Sequence, residues 1–358
     1  MNRTPMDSPS EQVLLIVFKQ SPRSFWGCYG SFANLTPNLD AYAAQGIVLD
    51  RFTLGIPDRE KIDDAPWLER QLARLSEQGV PVLEVAIEEA EIPAFEDIEE
   101  LEEEILDQIE ECREAGNVVP ALTVVRLPRI PLSLLPEIDV EDEADDWEPD
   151  VEDDDEELDD EERPPGKFPY GLLSFEEQVN WERIVGWEDA FLPKIIEAWE
   201  STLEGSRRLV IVTSEEGNSC PFVSDAEGEK NLERRNLLPC LLFDSEETHQ
   251  GMRIGELTSV DDLPPTIKAW LERSESGVNS GSWWSLLNDP AKILHQRLFA
   301  RSLQGDLLVW FPEAFLIQAE SVQIHLKPED RWDLSDVSLE QPRLTEQLLG
   351  DIEQKESP

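Results

Sequence analysis

The sequence predicts an α/β fold: a mostly parallel central sheet flanked by helices, with a small antiparallel subdomain at the carboxyl end. Three observations carry this. Short continuous apolar runs such as Val13–Phe18 suit strands buried on both faces of a parallel sheet. Segments with apolar residues three and four positions apart alternate with those runs, as crossover helices do. From Leu307 onward the alternation gives way to closely spaced short strands.

The elements follow in order. Residues 1–11 are polar and are expected to be disordered. Val13–Phe18 is the first strand, and a turn-rich stretch, Ser21–Gly30, follows it. Thr36 and Pro37 suit the N-cap and first position of a helix that Gly46 closes, and Ile47–Phe52 is the second strand. Trp67, Leu68, Leu72 and Leu75 share a helix face in Pro66–Gln78, which Gly79 ends, and Val80–Ile87 is a strand. Phe95, Ile98, Leu101, Ile105, Ile109 and Cys112 define an amphipathic helix over 94–114 whose acids form its wet face. Val118–Val125 is the next buried strand, Phe175–Glu200 a long helix, and Leu209–Thr213 and Pro239–Phe243 are strands. Leu263–Leu271 is a helix entered through Pro264 and Pro265. Leu308–Phe311, Phe315–Ala319 and Ser321–Leu326 form the antiparallel set, and a terminal helix covers Pro342–Gln354. This divides the chain into an α/β domain over 12–306 and a carboxyl-terminal subdomain over 307–358.

Composition bounds the function. With 358 residues, 40% of them hydrophobic, and 11 Trp and 13 Phe, the chain can bury a large core and is not disordered throughout. Its 79 acids against 30 bases give a net charge of -49, which excludes nucleic acid as a partner. The charge is concentrated: 19 acids and no base lie in 137–162, and 15 acids with one base in 84–114. Residues 137–162 lack apolar periodicity and are expected to be a disordered acidic insertion. No apolar run approaches the roughly 18–20 residues of a membrane helix, and Val13–Phe18 is too short for a secretory core. The expectation is a cytoplasmic protein with no membrane partner. Cys28, Cys112, Cys220 and Cys240 form no CxxC pair and are expected to be free, buried thiols.

Several strings together resemble the sulfatases of the alkaline-phosphatase-like superfamily. They are Val13–Phe18 followed by Gly27-Cys-Tyr-Gly30, Thr36-Pro-Asn-Leu-Asp40 and Gly46-Ile-Val-Leu-Asp50. Trp67–Leu75, Leu209–Ser214, Leu232–Pro239 and Ser259–Thr266 match later landmarks of the same family. The resemblance implies an alkaline-phosphatase-like fold and a hydrolase ancestry for sulfuric or phosphoric esters.

It also implies where chemistry should sit, and there the residues depart from the pattern. The family's first metal-ligand pair falls on Lys19 and Gln20, and its second pair on Glu215 and Glu216. An ammonium cannot ligate a hard cation and repels one. The family's formylglycine nucleophile, matured from Cys or Ser, falls in Phe52–Glu60, where Thr53 is the one hydroxyl and the sole candidate. No base is evident beside it, so no catalytic set and no cofactor are expected. The alternative is a residual Mg²⁺ or Ca²⁺ site on Glu215 and Glu216, which are hard oxygen donors at a strand's carboxyl end. Lys19 is expected to replace the cation by a salt bridge to Glu215 or Glu216. His249, His295 and His325 share no motif, and Trp283 and Trp284 suit aromatic packing. Three functions fit: a sulfatase-like pseudoenzyme kept as a binding or regulatory module for a protein or small-molecule ligand; a divergent metal-dependent sulfate or phosphate ester hydrolase; or an acidic interaction protein acting through 137–162.

Overall fold

A computed structural model describes residues 11–31, 35–62, 66–87, 92–114, 120–135, 175–201, 203, 206–217, 236–246, 249–272, 281–289, 292–302, 305–327 and 335–353. The expected acidic insertion at 137–162 lies outside these residues, as do residues 1–10; Glu11 already belongs to the first strand.

The central sheet has eight strands: β1 (Glu11–Gln20), β2 (Ile47–Thr53), β3 (Val82–Ala86), β4 (Leu122–Leu127), β5 (Arg207–Glu216), β6 (Leu237–Leu238), β7 (Cys240–Asp244) and β8 (Met252–Ser259). Their order is β3-β4-β1-β5-β7-β2-β6, with β8 beside β2. β3, β4, β1 and β5 run parallel, as do β2 and β8, while β6 and β7 run antiparallel to β2. Pro239, which has no amide hydrogen, separates β6 from β7.

β1 is enclosed on both faces. Leu14, Ile16 and Phe18 enter one core, with α1 (Pro37–Gln45), α3 (Ile98–Glu114) and α4 (Phe175–Glu200). Val13, Leu15 and Val17 enter the other, with α2 (Trp67–Glu77), α5 (Leu263–Leu271) and α6 (Trp284–Asn288). The continuous apolar run is therefore the strand's two faces read alternately.

A second sheet, ordered β12-β11-β10-β9, is antiparallel throughout: β9 (Leu298–Arg301), β10 (Leu307–Trp310), β11 (Ala314–Gln318) and β12 (Val322–Leu326). It begins at Leu298, on the amino-terminal side of the division expected at 306/307. Helix α7 (Pro342–Glu353) covers one face with Leu348 and Ile352. The other face packs Leu298, Leu308, Trp310 and Phe315 around Leu257 of β8. Arg51 of β2 donates to the Phe311 carbonyl at 2.7 Å and also to that of Pro312, and Ile56 bridges to Phe299.

Local chemistry differs from the sequence reading at several points. Thr36 precedes α1 but does not cap it. Its Oγ1 accepts the Gly27 amide at 2.8 Å, and the amides of Asn38 and Leu39 go instead to the Asp189 carboxylate, at 3.1 and 2.7 Å. Gly46 is not a left-handed stop. A Cβ there would lie 2.1 Å from the Leu242 carbonyl, so close packing against β7 requires glycine. Gly79 does take φ 82 and ends α2. α3 starts at Ile98 rather than 94, because Asp97 Oδ1 accepts the Glu100 amide at 2.9 Å. Among its described acids, all but Glu102 lie toward solvent; Glu102 is buried and bonded to Trp187 Nε1 at 2.8 Å and to Lys194. β8 carries no sequence expectation, since Gly255 and Glu256 interrupt its apolar pattern.

Asp189→Ala strands the first amides of α1. It is expected to cost about 2 kcal/mol in urea unfolding, and Asp189→Asn, which keeps one acceptor oxygen, clearly less.

Candidate functional site

The carboxyl ends of β4, β1 and β5 lie side by side, and three charged residues converge there. Val17 on β1 stands in register with Arg126 on β4 and with Thr213 on β5. Lys19 and Glu215 follow two positions further along their strands, so the pleat sends them from the same face as Val17. Lys19 Nζ donates to Glu215 Oε2 at 2.8 Å. Arg126 donates to the other oxygen, Oε1, through Nε at 2.8 Å and Nη2 at 2.5 Å. Trp67 of α2 donates its indole N–H to the Glu215 carbonyl at 2.8 Å, which fixes the strand end as well.

The network extends outward through Arg126, which also pairs with Glu69 of α2 and Glu84 of β3, each at 3.0 Å. The Glu215 side chain is 9% exposed, that of Arg126 24% and that of Lys19 34%. Burial works against the Arg126 charge, but Glu215, Glu84 and Glu69 outweigh it and hold the guanidinium more firmly protonated than usual. Glu215 therefore has a cation on each carboxylate oxygen.

The remaining sequence candidates are placed elsewhere. Glu216 is exposed and stands across from Gln20 in the β1–β5 register, its carbonyl accepting the Ser214 hydroxyl at 2.8 Å. Thr53 is fully buried, and its Oγ1 accepts the Gly55 amide at 2.9 Å. That hydroxyl is a turn-forming group with no face toward solvent. His295 Nε2 lies 2.9 Å from both oxygens of Asp262, whose carboxyl burial pushes upward while the histidine opposes the shift. His325 is buried, and His249 lies against Trp284 with ring centres 6.3 Å apart. Trp283 packs edge-on against Phe52 and Trp284 stacks on Trp270, so both serve the core. Cys28 and Cys240 are free thiols, each raised by burial, Cys28 to about 12. The side chains of Cys112 and Cys220 lie outside the described residues.

Arg126 is the site residue that the sequence reading misses. Ending the strand at Val125 left it outside, although an arginine followed by Leu127 at a buried strand's carboxyl end is a legible signal.

The family resemblance implies a divalent cation between the ends of β1 and β5. The described residues there do not fit one. A single buried carboxylate is present, both of its oxygens are taken by fixed cations, and Lys19 carries charge to the position a ligand would occupy. Among the described residues no group of three or more His, Cys, Asp or Glu side chains is arranged to hold a metal.

A mixed α/β sheet between two helical layers, with a separate four-stranded antiparallel sheet and its polar edge at the strands' carboxyl ends, defines the alkaline-phosphatase-like fold of sulfatases. Solved structures match it over nearly the whole chain. A candidate sulfatase from Bacteroides fragilis aligns with 96% of this chain and 95% of its own at 13% identity and TM-score 0.62. A 2-O GAG sulfatase aligns over 96% and 92% at 12% identity and TM-score 0.62. A phosphonate monoester hydrolase of Agrobacterium radiobacter aligns over 95% of each chain at 12% identity and TM-score 0.56. No protein-family model and no curated protein sequence matches the chain.

The two cations are expected to contribute unequally. Lys19→Ala leaves Glu215 paired with Arg126 and removes a partly solvated ammonium, so it should cost about 1 kcal/mol or less in urea unfolding. Arg126→Ala leaves three glutamates without their shared guanidinium, one of them buried, and should cost about 3 kcal/mol. Equal losses would show that Arg126 is not the principal counter-charge.

Proposed function

We propose that this protein is a sulfatase-like pseudoenzyme, its scaffold kept as a binding or regulatory module for a protein or small-molecule ligand. One observation carries the reading: the buried carboxylate of Glu215, at the edge where this fold does its chemistry, is neutralised by Lys19 and Arg126. A hydrolase of sulfate or phosphate esters needs a nucleophile and an electrophile at the ester oxygen. Thr53 is buried behind a turn, and the carboxylate that would carry a metal is already paired.

The pairing has its own physical logic. An unpaired carboxylate inside this edge would raise its pKa or draw in water. A lysine and an arginine supply the counter-charge covalently, so the carboxyl edge keeps its shape without a bound ion. The scaffold and its carboxyl edge thus persist apart from catalysis, as a retained binding role requires.

The test is hydrolysis by full-length purified protein of 4-nitrophenyl sulfate and 4-nitrophenyl phosphate, with Mg²⁺, Ca²⁺, Mn²⁺ or Zn²⁺ supplied in turn. The expected result is no turnover above protein-free controls with any metal. Turnover that disappears in Thr53→Ala or Glu215→Gln would establish the divergent hydrolase instead.

A further inference from the structure

Helix α4 carries a buried carboxyl outside the charged network at the carboxyl edge of the sheet. Glu188 is 4% exposed, and its Oε2 accepts the Ser21 hydroxyl at 2.6 Å. Ser21 Oγ in turn accepts Trp26 Nε1 at 2.9 Å, and both of these residues are fully buried. The chain Glu188–Ser21–Trp26 therefore ties α4 to the turn into which β1 opens, directly beyond Lys19 and Gln20. Its neighbour Asp189 has a fuller set of donors: two backbone amides and the Asn38 side-chain amide converge on it. Glu188 has one neutral hydroxyl. A carboxylate solvated so thinly in a low-dielectric interior is strongly disfavoured against the neutral acid.

Among the described residues, the charged and titratable groups on the surrounding elements are engaged with other partners. On β1, Lys19 is paired with Glu215. In the turn, the Arg23 guanidinium lies 4.3 Å from the Tyr29 ring centre. On α1, Asp40 bonds to Thr36. On α4 itself, Arg183 donates to the carbonyls of Leu132 and Leu135, and Lys194 pairs with Glu102 of α3. The Cys28 thiol, pushed up to about 12, and the Tyr29 phenol, raised further by burial, stay neutral.

We propose that Glu188 is a proton-operated latch: the neutral carboxyl is stable in its dry seat between α4 and the Ser21–Gly30 turn, whereas the ionised carboxylate, although it binds the Ser21 hydroxyl more strongly, needs water there, so loss of its proton to bulk water opens the contact between the turn and α4. Burial pushes this carboxyl up to about 8, with the Ser21 hydrogen bond opposing the shift. The folded state thus binds the proton more tightly than the unfolded chain. The latch is at full strength below the ordinary value of 4.5, weakens as pH rises through the interval, and stops weakening above about 8. The device stands whether or not the protein hydrolyses anything.

Amide hydrogen exchange on the full-length protein tests it, compared at about pH 6 and about pH 9 after correction for intrinsic rates. The reporting amides are those of Trp26, Tyr29 and Gly30, which bond to the carbonyls of Arg23, Trp26 and Gly27. Their protection is expected to fall at least about tenfold at the higher pH in the native protein. It should stay level in Glu188→Gln, which keeps the shape and an acceptor oxygen but cannot ionise. In Ser21→Ala the midpoint should move upward, since the bond favouring the ionised form is lost. Level protection in the native protein, or the same fall in Glu188→Gln, would overturn the proposal. Should Glu188→Gln not fold, a midpoint that stays put or drops in Ser21→Ala would overturn it equally.

Discussion

The two-sided burial of β1 is the constraint on which the rest of the structure depends. A strand with apolar side chains on both faces cannot lie at a surface, so helices must cover it above and below. That requirement produces the two cores, one with α1, α3 and α4 and the other with α2, α5 and α6. It also places the last residues of β1 at the centre of the polar edge, with β4 and β5 on either side. Lys19 is consequently the first residue of the strand's end with room for a charge.

The charged edge shows how a buried carboxylate persists. Glu215 is tolerated because its cations come from two neighbouring strands whose register is fixed by backbone hydrogen bonds. Neither cation has to be recruited from solution, and the indole of Trp67 anchors the backbone of the same residue. Arg126 has the larger share, since its planar fork reaches Glu215, Glu69 and Glu84 together, and a lysine could not satisfy three directions at once. Helix α2 and strand β3 are thereby attached to the carboxyl edge by charge as well as by apolar packing.

Most of the architecture was legible because burial writes itself into sequence as periodicity. The run Val13–Phe18 and the spacing of Leu101, Ile105 and Ile109 needed no structure to interpret. What escaped depended on partners distant in sequence. Asp189 caps α1 from roughly 150 residues away, so the local Thr36-Pro37 signal named a different acceptor. Gly46 looked like a helix stop, whereas its neighbour across the sheet is what demands glycine. β8 and β9 are short or interrupted, and only pairing with β2 and β10 makes them strands. At the carboxyl edge, the matched positions Lys19 and Glu215 are legible from spacing to a motif, but Arg126 belongs to no motif and enters only because β4 extends beyond Val125. Glu188 was equally silent, since nothing local marks one acid in a long helix as buried.

The way the second sheet is seated bears on how the chain may be divided. Leu257 belongs to the central sheet yet sits within the apolar layer of Leu298, Leu308, Trp310 and Phe315, and Arg51 reaches out of β2 for two carbonyls at the β10–β11 corner. The seam between the sheets is therefore lined with hydrocarbon and pinned by a guanidinium, unlike the wetter seams of independently moving units. Cutting the chain between α6 and β9 would uncover Leu257 and leave that arginine facing water without its acceptors. The antiparallel sheet is in this sense the outer wall of the α/β body rather than a passenger on it, and the smallest piece that keeps the body intact includes it.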